Sequence, residues 1–70
     1  MTFTIEIEQE NDRRWIAEIL ELAGVLAYGR TQEEAIARAK ALALRVLAER
    51  LEHGEDPATV TTIAFAAHYV

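Results

Sequence analysis

Between Gly24 and Ala35 the spacing of the apolar residues changes, and this change constrains the fold more than any other feature of the chain. Upstream, "TFTIEIEQ" alternates, with Phe3, Ile5 and Ile7 on one face and Thr4, Glu6 and Glu8 on the other. A period of two predicts a strand with one buried and one wet face. Downstream the apolar residues recur at helical spacing, and Ala35, Ile36, Ala39, Leu42, Ala43, Val46 and Leu47 form one stripe. A period near 3.6 predicts an amphipathic helix. A short chain that joins half-wet strands to one helix belongs to the α+β class.

The junction "GVLAYGRTQEEA" reads as a strand-to-helix corner. Thr31 and Glu34 have the spacing of a capping box, in which the hydroxyl accepts the Glu34 amide proton and the carboxylate reaches back to the Thr31 amide. Glu33 adds negative charge at the helix start, and Gly29 is placed to allow a sharp turn. A phosphate-binding role is disfavoured. The two first-turn glutamates would repel an anion, and neither a G-x-G-x-x-G motif nor a Walker lysine is present.

The remaining elements follow from the same periodicities. Asn11-Asp12 suits a hairpin turn, because both side chains bond nearby backbone and tolerate positive φ. "WIAEILEL" predicts a second strand with Trp15, Ala17 and Ile19 inward and Ile16, Glu18 and Leu20 outward. "GVLAYG" predicts a short third strand. The helix should run from about Gln32 to His53 and stop at Gly54. "GEDPA" is read as a loop, and "TVTTIAFAAHYV" as a last strand with Ile63 and Phe65 inward. The expected order is β-β-β-α-β in a single domain spanning residues 1–70.

The helix carries more apolar surface than one sheet face can take. Ala37, Ala41, Leu44, Ala48 and Leu51 widen the stripe around most of its circumference, broken only by Lys40 and Arg50. A 70-residue chain without cysteine is marginally stable alone. Either long side chains lie over the surplus or a second subunit does, so a homo-oligomer, most simply a dimer, is expected with Leu44 and Leu51 in its interface.

The formal net charge of −5 argues against nucleic-acid binding through a basic surface and favours a basic protein partner. No secretory signal or membrane-length apolar run is present, so a cytoplasmic protein is expected. No cofactor, metal or catalytic constellation is expected. His53 is explained by the helix C-terminus and His68 by a strand end, and neither has a nucleophile or second ligand at motif spacing. Glu6, Glu8 and Glu18 should share the exposed sheet face. A metal-dependent enzyme built on them would need a sheltered cleft and further ligands.

The stretch "FTIEIEQENDRRWIAEILELAGVLAYGRTQEEAIARAKAL" resembles the HicB-type antitoxin family. In that family "W-x-A-E-x-x-E-L-P-G-C" leads into "G-x-T-x-E-E-A" and a helix. The matching residues here are Trp15, Ala17, Glu18, Glu21, Leu22, Gly24, Gly29, Thr31, Glu33, Glu34 and Ala35; Ala23-Gly24-Val25 stands where the family has Pro-Gly-Cys. The resemblance implies a truncated ribonuclease-H-like unit, in which three antiparallel strands precede a helix and a fourth strand pairs beside the first. It implies no nuclease activity. It implies binding and masking of a small HicA-type toxin that cleaves mRNA, with Glu6, Glu8 and Glu18 as candidate contacts from the charge argument. Many members also carry a C-terminal DNA-binding domain; none is in view before Val70, so direct DNA binding is not expected. The alternative is a free-standing homo-oligomeric scaffold or ligand-binding protein with no toxin partner.

Overall fold

The computed structural model describes residues 1–55 and 62–70. Four strands and one helix follow in the order β1 (Thr2–Gln9), β2 (Trp15–Ile19), β3 (Leu26–Gly29), α1 (Gln32–Glu52) and β4 (Ala64–Tyr69). The strands form one sheet in the order β3-β2-β1-β4. β1 and β2, and β2 and β3, are antiparallel, whereas β4 runs parallel to β1. The direction of β4 follows from the connections: α1 carries the chain back along the sheet, so β4 enters from the same end as β1. The architecture is the α+β arrangement expected from the periodicities. The "GEDPA" loop and the start of the expected last strand fall partly on residues 56–61, outside the described residues. Thr62 and Ile63 precede β4.

The core lies between α1 and one sheet face. Phe3, Ile5, Ile7, Ala17 and Ile19 supply the sheet side, Leu22 and Val25 close one end, and Ala35, Ala39, Ala43 and Leu47 supply the helix side. Alanine at three successive i, i+4 positions brings the helix axis close to the strands. The tightest point is Gly29. A Cβ there would sit 2.5 Å from the Ala35 amide nitrogen, so this residue is needed for close approach and not for the sharp turn expected from sequence.

Both helix ends are closed as local chemistry directs. The Thr31 hydroxyl accepts the Glu34 amide proton at 3.1 Å. The Glu34 carboxylate, however, accepts from the Arg30 amide at 3.1 Å, one residue earlier than the expected capping box. It also meets the Arg38 guanidinium at 3.2 Å, which pulls it outward along the helix. At the other end Gly54 has φ +69°. Its N–H donates to the Leu51 carbonyl and that of Glu55 to the Arg50 carbonyl, the bond pattern of a Schellman stop.

In the β1–β2 hairpin the positive φ falls on Arg13 (+71°), not on Asn11 or Asp12. The Arg13 amide donates to the Glu10 carbonyl, and the Glu10 amide to the Arg14 carbonyl. This is a three-residue hairpin, whose last residue takes the left-handed conformation whatever its identity. Asp12 supports it from the side chain, accepting from the Arg14 amide at 3.1 Å and Nε at 2.6 Å; the backbone bond foremost holds its carboxyl below the usual carboxylate range.

Helix α1 rests on β3 and β2, touches β1 lightly and leaves β4 almost free. A helix is about 10 Å across and strands lie about 4.8 Å apart, so one helix covers about half of a four-stranded sheet. Ile63, expected inward with Phe65, is 40% exposed, because the helix stands over the opposite side of the sheet. Phe65 is half-buried. Its ring lies 5.8 Å from that of Phe3, and the Lys40 ammonium lies 5.7 Å from its centroid. Leu44 and Leu51 are exposed, as their place on the helix implied.

Candidate functional site

The sheet face opposite α1 carries the sequence-derived candidates. Cross-strand register sets Glu6 opposite Glu18, Glu8 opposite Ile16, and Ile16 opposite Tyr28. On the far side of β1, Glu6 is level with His68. The three carboxylates therefore share one face, flanked by Ile16, Leu20, Leu26 and Tyr28. The Leu20 amide donates to the Thr4 carbonyl. Even-numbered residues of β1 thus address β2, and Glu6 and Glu18 form a hydrogen-bonded pair of the ladder.

Like charges directly opposed across strands destabilise a sheet. Among the described residues no ion pair relieves these carboxylates, the ion pairs being Arg14–Asp12 and Arg38–Glu34; the neighbour of Glu6 on β4 is the imidazole of His68. Among the described residues, no group of three His, Cys, Asp or Glu side chains is placed to hold a metal ion. His53 lies at the helix C-terminus, its Nδ1 2.7 Å from the Glu49 carbonyl, remote in the fold from His68 on β4. No described helix is long and apolar enough to cross a membrane.

The residues that carry the family resemblance separate cleanly by what they touch. Ala17, Leu22 and Ala35 are core, and Trp15 packs against it. Gly24 has φ +79°, and Gly29 meets Ala35. Thr31 and Glu34 close the helix, and Glu33 sits in its first turn. The Glu21 carboxylate accepts the Thr4 amide at 2.7 Å, where β2 has ended and no backbone acceptor remains; this bond lowers its pKa. Glu18 alone is exposed on the open face with no intramolecular partner among these interactions.

A second feature was not legible in the sequence. Arg14, Tyr28, Arg30, Glu34 and Arg38 line an open cleft of about 480 Å³ beside Gly29. The Arg14 guanidinium lies 4.5 Å from the centroid of the Tyr28 ring, and Arg38 Nη1 donates to the Tyr28 carbonyl at 3.0 Å. These arginines come from three separate elements. Arg14 stands level with Arg30 only because Trp15 pairs with Gly29, a register that no local pattern displays. Two of the three guanidiniums are already engaged, by Asp12 and by Glu34, so the cluster braces the corner between β3 and α1. No protein-family model, no curated protein and no solved structure matches the chain.

Proposed function

We propose that this chain is a non-catalytic binding domain of the HicB antitoxin type, which masks a small basic HicA-type ribonuclease through the open face of its sheet. The supporting observation is the opposition of Glu6 and Glu18, with Glu8 beside them and no ion pair to any of the three among the described residues. An arrangement that costs stability and serves no internal contact is suited to a cationic surface brought from outside. A ribonuclease toxin must present such a surface to hold phosphate-rich RNA. Carboxylates placed there compete with RNA, speed encounter and set specificity. Ile16, Leu20, Leu26 and Tyr28 around them supply the apolar part of a protein interface.

The test is association with a purified HicA-type toxin at low and high salt. It compares the wild type with the triple variant Glu6→Gln, Glu8→Gln, Glu18→Gln, folding being checked by circular dichroism. The wild type should associate quickly at low salt and more slowly at high salt, and the triple variant should lose most of that dependence. An unchanged rate with unchanged salt dependence removes this face from the interface.

A second reading, a free-standing homo-oligomeric scaffold, is favoured by the exposure of Leu44 (47%) and Leu51 (49%) on the helix. A small basic protein encoded in the adjacent reading frame distinguishes the two. Its presence favours the antitoxin, and its absence the scaffold.

A further inference from the structure

The two edges of the sheet are finished differently. β3 is four residues long, and Arg38 reaches across to occupy the Tyr28 carbonyl at 3.0 Å. β4 is six residues long, and no described strand pairs with its outer side. It lacks the usual protections of an edge: "AFAAHY" contains no lysine, no proline and no acidic residue.

The ladder determines which backbone groups of β4 are left over. The Ala64 amide donates to the Met1 carbonyl at 2.9 Å, and the Val70 amide to the Ile7 carbonyl at 2.8 Å. With a period of two, the even-numbered residues address β1. Phe65, Ala67 and Tyr69 therefore turn both N–H and C=O outward. Their side chains lie on the helix-side face, level with Phe3, Ile5 and Ile7, where α1 does not reach. Tyr69 is 56% exposed, and Ala67 is exposed beside the fully buried Ile5.

We propose that β4 pairs antiparallel with β4 of a second copy about a two-fold axis at Ala67, making one continuous eight-stranded sheet. In this register Ala67 faces the partner subunit's Ala67, and Phe65 faces the partner subunit's Tyr69. These are the hydrogen-bonded positions of an antiparallel ladder, so all the outward groups of Phe65, Ala67 and Tyr69 are satisfied at once. A shift of the two-fold axis to Ala66 or His68 leaves one of the three outward residues without its match inside β4. The Ala67 register also sets an aromatic pair on each side of the axis, extending the Phe3–Phe65 contact across the interface. The occupant is a second copy because the pairing is self-complementary and because of charge. Two molecules of net charge −5 repel over most of their surfaces, but β4 carries no carboxylate. The axis stands perpendicular to the sheet, so both acidic faces remain open on the same side.

The chain has no cysteine, which gives a clean background for crosslinking. Residues facing each other at a hydrogen-bonded position have Cα atoms about 5.5 Å apart, within reach of a disulfide. Sedimentation velocity of the whole chain at micromolar concentration should show a dimer. Under oxidation Ala67→Cys should form a covalent dimer, and Leu44→Cys should not. Ala67→Lys places two cations on the axis and should give a monomer with an unchanged circular dichroism spectrum. Ala67→Pro provides a second route, since its N–H faces outward and its loss leaves the bonds to β1 intact. A wild-type monomer overturns the proposal. So does a dimer that persists in both folded Ala67 variants, or crosslinking at Leu44→Cys without crosslinking at Ala67→Cys, which would move the contact to the helix.

Discussion

The opposition of Glu6 and Glu18 has a stability consequence independent of any partner. Two unit charges about 6 Å apart in water repel by about 0.7 kcal/mol, reduced to about 0.3 kcal/mol by screening at physiological ionic strength. Glu18→Gln keeps the side-chain shape and removes the repulsion, so it should stabilise the fold by this amount. For a domain of this size the low-salt gain corresponds to a rise in thermal midpoint of about 3–6 °C. Glu6→Gln should give a similar gain. The double variant should gain little more than either single one, because one substitution already abolishes the pair. The assay is thermal unfolding of the four proteins at one protein concentration, in low and high salt. Gains should shrink as salt rises. A lower midpoint in either single variant would show that these carboxylates have internal partners, and gains that simply add would show that they do not repel each other. Either result would leave these carboxylates without the cost that marks them for an external cationic surface.

Three further substitutions probe the frame that holds this face. Gly29→Ala should destabilise by about 2–3 kcal/mol in urea unfolding, because the new methyl meets helix backbone and not a movable side chain. Arg13→Gly should stabilise by about 0.5–1 kcal/mol in the same assay, relieving an L-residue held at φ +71°. The bond from the Thr4 amide depresses the Glu21 pKa, so its stabilisation is fully present above the ordinary glutamate value of 4.5 and is lost as pH falls through the lower folded value. Glu21→Gln should therefore be less stable than wild type near neutrality, and the two should converge on acid titration below that value.

Much of this fold can be read in local patterns, and the parts that cannot share one physical cause. The alternation of Phe3, Ile5 and Ile7, the Thr31 cap, the Gly54 stop and the common face of Glu6, Glu8 and Glu18 all rest on interactions a few residues long or on simple periodicity. Register and coverage do not. The bond from Thr4 to Glu21, the level of Arg14 with Arg30, and the exposure of Ile63 depend on how distant segments come together. Gly29 shows the same division. The sequence marks it as a corner residue, but the reason for it lies in a helix backbone 2.5 Å from its missing Cβ.

The half-covered sheet also sets an unequal durability among the backbone bonds of a single strand. β4 is held by its ladder to β1 and by little core beyond Phe65, so it should open at much lower free energy than the unit formed by β1–β3 and α1. Odd-numbered amides of β1 are bonded toward β4, and even-numbered ones toward β2. Hydrogen exchange along β1 should therefore alternate, with Glu6 and Glu8 protected longer than Ile5 and Ile7. This holds most clearly in a variant kept single, such as Ala67→Lys. The two side chains buried most completely in the strand would then sit on its more quickly exchanging amides, because burial is set by the helix above them and protection by the strand beside them.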